Sequence, residues 1–315
     1  MTAQILIRPL AERDLPAAEK ICRVAFGTRF GAPDPETFWS DLDYVWARWR
    51  ADHTAGFAAE IGGEVVGSSF ATNWGSVGVL GPVTVRPDLW DKGVGGRLVE
   101  AAVARFDLWG TKHAGLCTFP GSAKHVGLYQ KFGFWPRFLT AVMAQPVEPD
   151  ETRIPATRYS DLGEAERRAV AALCRNLTDA VYEGLDVSGE ISAVCDQDLG
   201  DTVLMQDRSG VVGLAICHYG PRSEAGAGAC LIKFGAVRPG PAAEQTFGQL
   251  LDAAAALAGE ARMSKLVAGV NMARHEAYRY LIAGGFRTEA QVVAMHRPNE
   301  AGYSRPGVYV LDDWR

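Results

Sequence analysis

The stretch of the chain that decides the fold is Val83-Thr84-Val85-Arg86-Pro87-Asp88-Leu89-Trp90-Asp91-Lys92-Gly93-Val94-Gly95-Gly96-Arg97-Leu98-Val99. A β-strand pattern comes first, a turn with glycines at 93, 95 and 96 follows, and an amphipathic helix begins inside that turn. Glycine has no side chain to keep a ligand away, and the free N–H groups at a helix start attract anions such as a pyrophosphate. Lys92 and Arg97 add positive charge. The turn predicts a phosphate site, against the simpler alternative of a flexible glycine loop.

Two other phosphate-binding motifs fit this turn less well. A nucleotide P-loop requires GxxxxGK followed by Ser or Thr, which the stretch lacks. The dinucleotide fingerprint GxGxxG requires glycine at position 98, where the chain has Leu98. Both alternatives are therefore disfavoured.

The elements around the turn indicate a mixed α and β fold. Upstream, the periodicity predicts a strand at 5–8, a helix opening near Pro16, a second helix capped by Asp34, and a three-strand meander over 57–85. Downstream, it predicts a helix over 93–109, a strand over 114–119, a helix over 123–132 and a strand over 134–143. This order fits neither a doubly wound alternation nor an all-β sandwich.

The sequence also leads to expectations for three tryptophans and one tyrosine. Trp39, Trp46 and Trp49 fall on the second helix, where core packing is favoured over a ligand pocket. Tyr129 falls on the helix that Gly133 ends, where its phenol could donate a proton to a leaving group or simply pack against a polar neighbour.

The sequence does not predict which residue, if any, would take a proton from a substrate as a general base. His125 precedes Tyr129 by four positions, but a lone histidine is more often packed or solvated than catalytic. Asp41, Asp43 and Glu60 are other carboxylates of the first half, and deprotonation through water requires no single residue.

The chain contains an internal repeat. Val85-Arg86-Pro87 recurs as Val237-Arg238-Pro239 and Gly133-Phe134 as Gly285-Phe286, both displaced by 152 positions. Val65-Val66-Gly67 recurs as Val211-Val212-Gly213, displaced by 146, so the second copy holds six additional residues, which we place in 221–228. The proline-rich and acidic segment 145–155 predicts a linker between the copies.

On these residues the chain resembles the GNAT superfamily of N-acetyltransferases. The resemblance rests on the element order over 4–145, on the turn Lys92-Gly93-Val94-Gly95-Gly96-Arg97, and on Leu128-Tyr129 followed by Gly133-Phe134. The family's phosphate motif usually begins with Gln or Arg, and here Trp90 stands at that position. The resemblance implies an α+β fold of two tandem GNAT-like domains, each a mixed, mostly antiparallel twisted sheet flanked by helices.

The resemblance also implies an activity and its residues. Residues 1–147 would form the catalytic domain, with the pyrophosphate of acetyl-CoA on Lys92 to Arg97, including Val94, and the pantetheine arm along Val83 and Val85. Acetyl would pass directly to a primary amine on a small molecule or peptide. Tyr129 would donate a proton to the departing thiolate, whose thiol has a pKa near roughly 8.5. The alternative function is a non-catalytic acyl-CoA sensor or interaction module.

Residues 148–315 would form a degenerate GNAT-like domain. The displacement of 152 places Glu244, Gln245 and Phe247 where Lys92, Gly93 and Gly95 stand in the first copy, which is hostile to a pyrophosphate. Leu281 replaces Tyr129, although a slip of one residue would bring Tyr280 there. The tail 306–315 alternates like a strand that could complete either sheet, and its acidic end is expected in solvent rather than at an amine substrate.

Composition limits the classes of function. The 315 residues suggest two domains, and 48% hydrophobic with 22% charged residues indicates a folded globular chain. A net charge of -5 disfavours nucleic acid and anionic lipid as partners. No leader or long apolar run is visible, so a cytoplasmic location is expected. The six histidines show no ligand spacing and predict no metal, while a homodimer stays possible.

Overall fold

The computed structural model describes residues 4–147 and 156–315. The first half contains β1 (Leu6–Pro9), α1 (Leu15–Phe30), α2 (Trp46–Trp49), β2 (Thr54–Ile61), β3 (Glu64–Trp74), β4 (Val77–Val85), α3 (Val94–Trp109), β5 (His113–Thr118), α4 (Ala123–Gln130) and β6 (Trp135–Pro146). The second half contains β7 (Thr157–Arg158), α5 (Glu164–Val181), α6 (Ser188–Asp196), β8 (Gly200–Asp207), β9 (Gly210–Gly220), β10 (Gly226–Val237), α7 (Ala243–Glu260), β11 (Lys265–Asn271), α8 (His275–Ala283), β12 (Arg287–Arg297) and β13 (Val310–Leu311). The predicted α+β architecture is confirmed. Among these helices, none has the length and apolar character required to cross a membrane.

Local sequence signals account for the elements that surround the glycine turn. The β2–β3 hairpin turns at Gly62 and Gly63, whose φ angles of 60° and 87° suit the two-residue turn that matches strand twist. Helix α3 begins after Gly93 and ends at Gly110, both in the left-handed region that glycine adopts without strain. The buried residues of α3 recur about once per helical turn and therefore form one face. This face packs against β2, β3 and β4.

The predicted helix capped by Asp34 is wrong. Residues 31–45 form turns, and only Trp46–Trp49 is helical. Asp34 does cap a turn, because its carboxylate accepts the N–H of Glu36 at 3.1 Å. Trp39, however, has a positive φ of 53°, which a helix interior excludes. Its ring packs 4.9 Å from the ring of Phe26, so aromatic packing against α1 replaces the helix.

The two halves exchange strands within one continuous sheet. Its order is β1-β2-β3-β4-β5-β12-β6-β11-β10-β9-β8-β7, with β13 on β10. Strand β12 of the second half pairs antiparallel with β5, and β6 of the first half pairs antiparallel with β11. Each half therefore completes its sheet with a strand of the other, instead of forming the separate sheet that the sequence predicts.

The first residues of the predicted linker 145–155 belong to a strand of the shared sheet. Gln145 and Pro146 belong to β6 and pair with β11, and residues 148–155 lie outside the described residues. The division of the chain between residues 147 and 148 stays a prediction.

Equivalent hydrogen bonds confirm the internal repeat. The N–H of Arg86 bonds to the carbonyl of Val66 at 2.9 Å, and the N–H of Arg238 bonds to that of Val212 at 2.8 Å. In the same way, the N–H of Phe134 bonds to the main-chain carbonyl of Tyr129, and the N–H of Phe286 bonds to that of Leu281. Leu281 is therefore the counterpart of Tyr129, and the slip that would substitute Tyr280 is excluded.

The tail is buried, so the expectation of a solvated acidic end is wrong. Asp312 and Asp313 are 2% and 6% exposed. The fully buried guanidinium of Arg274 donates to the carbonyl of Val310 at 3.0 Å and to Asp312 Oδ1 at 2.9 Å. A buried guanidinium requires such a carboxylate partner, which is why the acidic residue lies inside. Strand β13 pairs with β10, so the tail does complete the sheet.

Candidate active site

Strands β4 and β5 run side by side for a short distance and then separate. Their parallel pairing joins Val77–Val79 to 113–115. Beyond these residues β4 continues to Val85 and β5 to Thr118, and the two strands no longer pair with each other. We call the space between these two segments the first cleft. It is closed where the strands meet and open toward the glycine turn that follows β4.

The main chain of β4 faces the first cleft at Val83 and Val85. The N–H of Arg86 bonds to the carbonyl of Val66 on β3, so the main-chain groups of Arg86 face away from the cleft. Successive residues of a strand turn their main-chain groups to opposite edges. The N–H and C=O of Val83 and the N–H of Val85 therefore point into the cleft, where they are available to an extended ligand.

The glycine turn presents free amide groups next to unoccupied space. Gly93 is the N-cap of α3 with φ 86°, and the first N–H groups of a helix have no intrahelical acceptor. A Cβ atom added at Gly95 or Gly96 would come no closer than 3.7 Å to the side chains around it, which is ordinary van der Waals contact. The fold itself does not require glycine at these two positions, so their missing side chains leave room for something that binds there. Val94 is buried and anchors the turn.

The two cations of the turn are available to an anion. Lys92 and Arg97 are exposed. The ammonium of Lys92 donates to the carbonyl of Asp88 at 2.8 Å, and Arg97 forms a surface ion pair with Glu100 at 3.2 Å. Exposed contacts of this kind contribute little and exchange readily for a phosphate.

Trp90 has a structural function where the family motif usually has Gln or Arg. Its indole N–H donates to the carbonyl of Val85 at 2.8 Å, and the ammonium of Lys124 lies 5.6 Å from its ring centroid. The bond fixes the turn to the end of β4. Trp90 therefore sets the distance between the cleft and the amides of α3.

Tyr129 lies on α4 and is 8% exposed. Burial raises the pKa of its hydroxyl, and the neighbouring thiol of Cys117 on β5 raises this pKa further. A phenol in this environment stays protonated at neutral pH and is able to donate a proton. The structure thus places a protonated phenol close to β5, one of the two walls of the first cleft.

The sequence leaves the general base open, and the structure assigns structural contacts to each candidate. His125 Nδ1 lies 2.6 Å from the Ser122 hydroxyl, and burial lowers the pKa of the ring. Asp43 accepts the N–H groups of Val45 and Trp46 at the start of α2. The remaining two carboxylates also have partners, Arg8 for Glu60 and the N–H of Ala227 for Asp41.

A buried ionic cluster at the closed end of the first cleft is absent from the sequence predictions. Arg48 Nη1 donates to the carbonyl of Gly81 on β4, and Nε donates to Glu224 Oε1 at 2.8 Å. Its Nη2 donates to the main-chain oxygen of Arg315 at 2.5 Å. Lys233 donates to Glu224 Oε2 at 2.5 Å and to the same Arg315 oxygen at 3.2 Å.

Mutual attraction keeps this cluster charged inside the protein. Burial raises the pKa of a carboxyl, but the positive charges of Arg48 and Lys233 outweigh it and lower the pKa of Glu224 to about 2. Burial likewise acts to lower the pKa of Arg48, and the charge of Glu224 reverses this and raises it. Glu224 lies in the segment that holds the six additional residues of the second copy, which is the only sequence signal that pointed to it.

The equivalent second cleft, between β10 and β11, is filled by the tail. Strand β13 pairs with β10 at Gly235 and Ala236, and the N–H of Val237 bonds to the carbonyl of Tyr309 at 3.2 Å. At the start of α7, the ring of Phe247 lies 5.2 Å from that of Tyr309. The tail thus lies along β10 in the second cleft.

Two further features concern the predicted residues. Leu281, the counterpart of Tyr129, is fully buried in the apolar core, and the Tyr280 ring packs 5.5 Å from that of Phe247. Among residues 4–147 and 156–315, no three His, Cys, Asp or Glu side chains are grouped for a metal ion.

Comparisons with known proteins agree with this architecture. Residues 19–134 match the model of the acetyltransferase (GNAT) family. A comparison with curated protein sequences gives no match.

Solved structures share the fold over almost the whole chain. A putative acetyltransferase from Pyrococcus horikoshii aligns with a TM-score of 0.66 at 13% identity, covering 98% of this chain and 95% of that one. A GCN5-related N-acetyltransferase from Sphaerobacter thermophilus aligns with a TM-score of 0.58 at 16% identity, covering 93% and 95%. A tandem GNAT protein from the clavulanic acid biosynthesis pathway gives 0.55 at 13% identity, covering 93% and 98%. Residues 19–134 thus match the acetyltransferase (GNAT) family, and the two halves of the chain together share the fold of a tandem GNAT protein.

Proposed function

We propose that the chain is an N-acetyltransferase that transfers acetyl from acetyl-CoA directly to a primary amine of a small molecule or peptide. The observation that carries the proposal is the continuity of the first cleft with the glycine turn. Trp90 fixes the turn to Val85, the last residue of β4, so the first amides of α3, which have no intrahelical acceptor, lie where the cleft opens. This arrangement fits a ligand with an anionic end and an extended amide-containing arm.

Each part of acetyl-CoA has a residue suited to it. The amides of Gly93 to Gly96, with Lys92 and Arg97, would hold the pyrophosphate. The main-chain carbonyl of Val83 and the N–H of Val85 would pair with the amides of the pantetheine arm. The acetyl thioester would then lie toward the closed end of the first cleft, between β4 and the strand that carries Cys117.

The chemistry follows from this placement. A neutral amine attacks the carbonyl carbon of the thioester, and the main-chain N–H of Val83 donates to the carbonyl oxygen as negative charge develops on it. The carbon–sulfur bond breaks, and the thiolate takes the proton of the Tyr129 hydroxyl. The proton that the amine loses goes to solvent, because no residue is assigned as base, and the Tyr129 phenolate takes a proton back from solvent.

We further propose that the second half binds no acetyl-CoA. Glu244 places a carboxylate where the first half has Lys92, and Phe247 fills the space that Gly95 leaves open. The tail takes the place of the pantetheine arm along β10. The second half would thus act through its contacts with the first.

A thiol-release assay tests the function. Acetyl-CoA is incubated with the protein and a panel of primary amines that includes small amines, amino acids and peptides. We expect thiol release to depend on at least one amine and the acetylated amine to appear in equal amount. That result would also contradict a non-catalytic acyl-CoA sensor, whereas bound acetyl-CoA with no turnover on a broad panel would support the sensor.

A further inference from the structure

The first cleft and its counterpart in the second half each begin at a β-bulge. In β4, Leu80 pairs with Ala71 and Val83 with Ser69, so Gly81 and Pro82 stand opposite a single residue of β3. One of the two register shifts of β10 against β9 lies between Ile232 and Phe234, at Lys233. Gly81 and Lys233 are 152 positions apart, so they are equivalent positions of the repeat.

A chain of charged groups connects these two bulges. The carbonyl of Gly81 accepts from Arg48, Arg48 donates to Glu224 at 2.8 Å, and Glu224 accepts from Lys233 at 2.5 Å. Arg48, Glu224 and Lys233 are each no more than 8% exposed. Buried charged hydrogen bonds of this kind hold their partners at fixed positions, because breaking one leaves an uncompensated charge.

The additional residues of the second copy place Glu224 between Arg48 and Lys233. The segment after β9 docks on the first half, where the N–H of Asp43 bonds to Ser223 at 3.0 Å and the N–H of Arg222 bonds to Asp41 at 3.1 Å. The corresponding connection in the first half, between Trp74 and Val77, is short. These additional residues thus supply Glu224, the carboxylate that pairs with Arg48.

We propose that Arg48 is a positioning residue for acetyl transfer, held in place by Glu224 of the second half. By binding the carbonyl of Gly81, Arg48 fixes the bulge, and the bulge sets the direction of the Val83 N–H, two residues later. This inference rests on the proposed function, because it assumes that this N–H meets the thioester oxygen. It explains why a half without a cofactor cleft is retained: it orients the reaction centre of the other half.

The test uses full-length wild-type protein and three variants, Arg48→Met, Arg48→Lys and Glu224→Gln. Turnover is measured with the best amine from the panel, and the affinity for CoA, which lacks the thioester, is measured separately. We expect Arg48→Met and Glu224→Gln to lower kcat by up to about 100-fold, since a small displacement of a reacting group has effects of this size. Affinity for CoA should change less than about twofold, because the glycine turn is untouched. Arg48→Lys should recover part of kcat.

A spectroscopic signature separates positioning from a loss of folding. The infrared carbonyl stretch of acetyl-CoA, labelled with carbon-13 at the carbonyl, is recorded free and bound, without an amine. In the wild type we expect a shift to lower frequency on binding, and in Arg48→Met and Glu224→Gln a return toward the free value. A full shift in both variants, or wild-type kcat in both, would overturn the proposal. Wild-type protein that binds neither CoA nor acetyl-CoA would instead overturn the proposed function, and this inference with it.

Discussion

The hydroxyl of Tyr309 in the tail donates a hydrogen bond to Oε2 of Glu244, at the start of α7, with a distance of 3.0 Å. Glu244 stands at the position equivalent to Lys92, so the tail binds the helix start that would otherwise face a pyrophosphate. This hydrogen bond connects two features that distinguish the second half from the first: the carboxylate at the start of α7 and the tail that lies in the second cleft.

The first prediction concerns stoichiometry. Because the tail occupies the second cleft, we expect one acetyl-CoA per chain, counted by native mass spectrometry at saturating ligand. Tyr309→Phe should leave this number unchanged and lower the free energy of unfolding by about 1 kcal/mol, the contribution of one hydrogen bond. Two acetyl-CoA molecules per chain in the wild type would show that the tail leaves the second cleft.

The second prediction concerns Tyr129. Tyr129→Phe removes the proton donor and should lower kcat by about 100-fold or more, while the affinity for acetyl-CoA changes little. Since burial raises the pKa of this hydroxyl, the donor stays protonated well into the alkaline range in the wild type. Tyr280→Phe, one position from the equivalent site in α8, serves as control. Equal turnover of wild type and Tyr129→Phe at every pH would remove the donor role.

The third prediction concerns Trp90. Trp90→Phe keeps an aromatic ring but loses the bond to the carbonyl of Val85, so the turn is less firmly fixed. The affinity for CoA should fall about fivefold, which corresponds to one hydrogen bond. Trp109→Phe, at the opposite end of α3, should leave the affinity unchanged. Equal affinities of the two variants would show that the indole does not position the turn.

The fourth prediction concerns stability in acid. The pKa of Glu224 is lowered from 4.5 to about 2 in the folded chain, so its contribution is complete above pH 4.5 and is lost as the pH falls toward 2. Over that interval the free energy of unfolding should fall by roughly 3 kcal/mol more in the wild type than in Glu224→Gln. Denaturant unfolding at several pH values measures this difference, with the surface variant Glu12→Gln as control. Parallel pH profiles of wild type and Glu224→Gln would contradict the buried ion pair.

Features that depend on neighbouring residues could be predicted from the sequence. The glycines at 62 and 63 indicate the hairpin, and the strand, turn and helix around Gly93 have the predicted order. The repeat was visible because equivalent turns keep equivalent residues. The helix expected after Asp34 fails although its capping signal is real, because the packing of Trp39 against α1 decides the backbone there.

Features that depend on distant residues could not be predicted. Arg48 and Glu224 are separated by 176 positions, and neither is unusual in its local sequence. The strand exchange is equally invisible, because β6 and β12 would have the same periodicity beside either partner. The acidic residues of the tail are typical of a surface segment, but in the fold Arg274 binds Asp312 and Arg315 binds Asp313.

Isothermal titration with acetyl-CoA tests the central claim most directly, which is that the amides of the glycine turn bind the pyrophosphate. The wild type should bind, and Gly95→Trp, which fills the space beside Leu128, should abolish binding. Gln245→Trp, which puts the same bulk at the equivalent helix start of the second half, should bind as the wild type does. Undiminished binding by Gly95→Trp, or no heat from the wild type, would contradict the account.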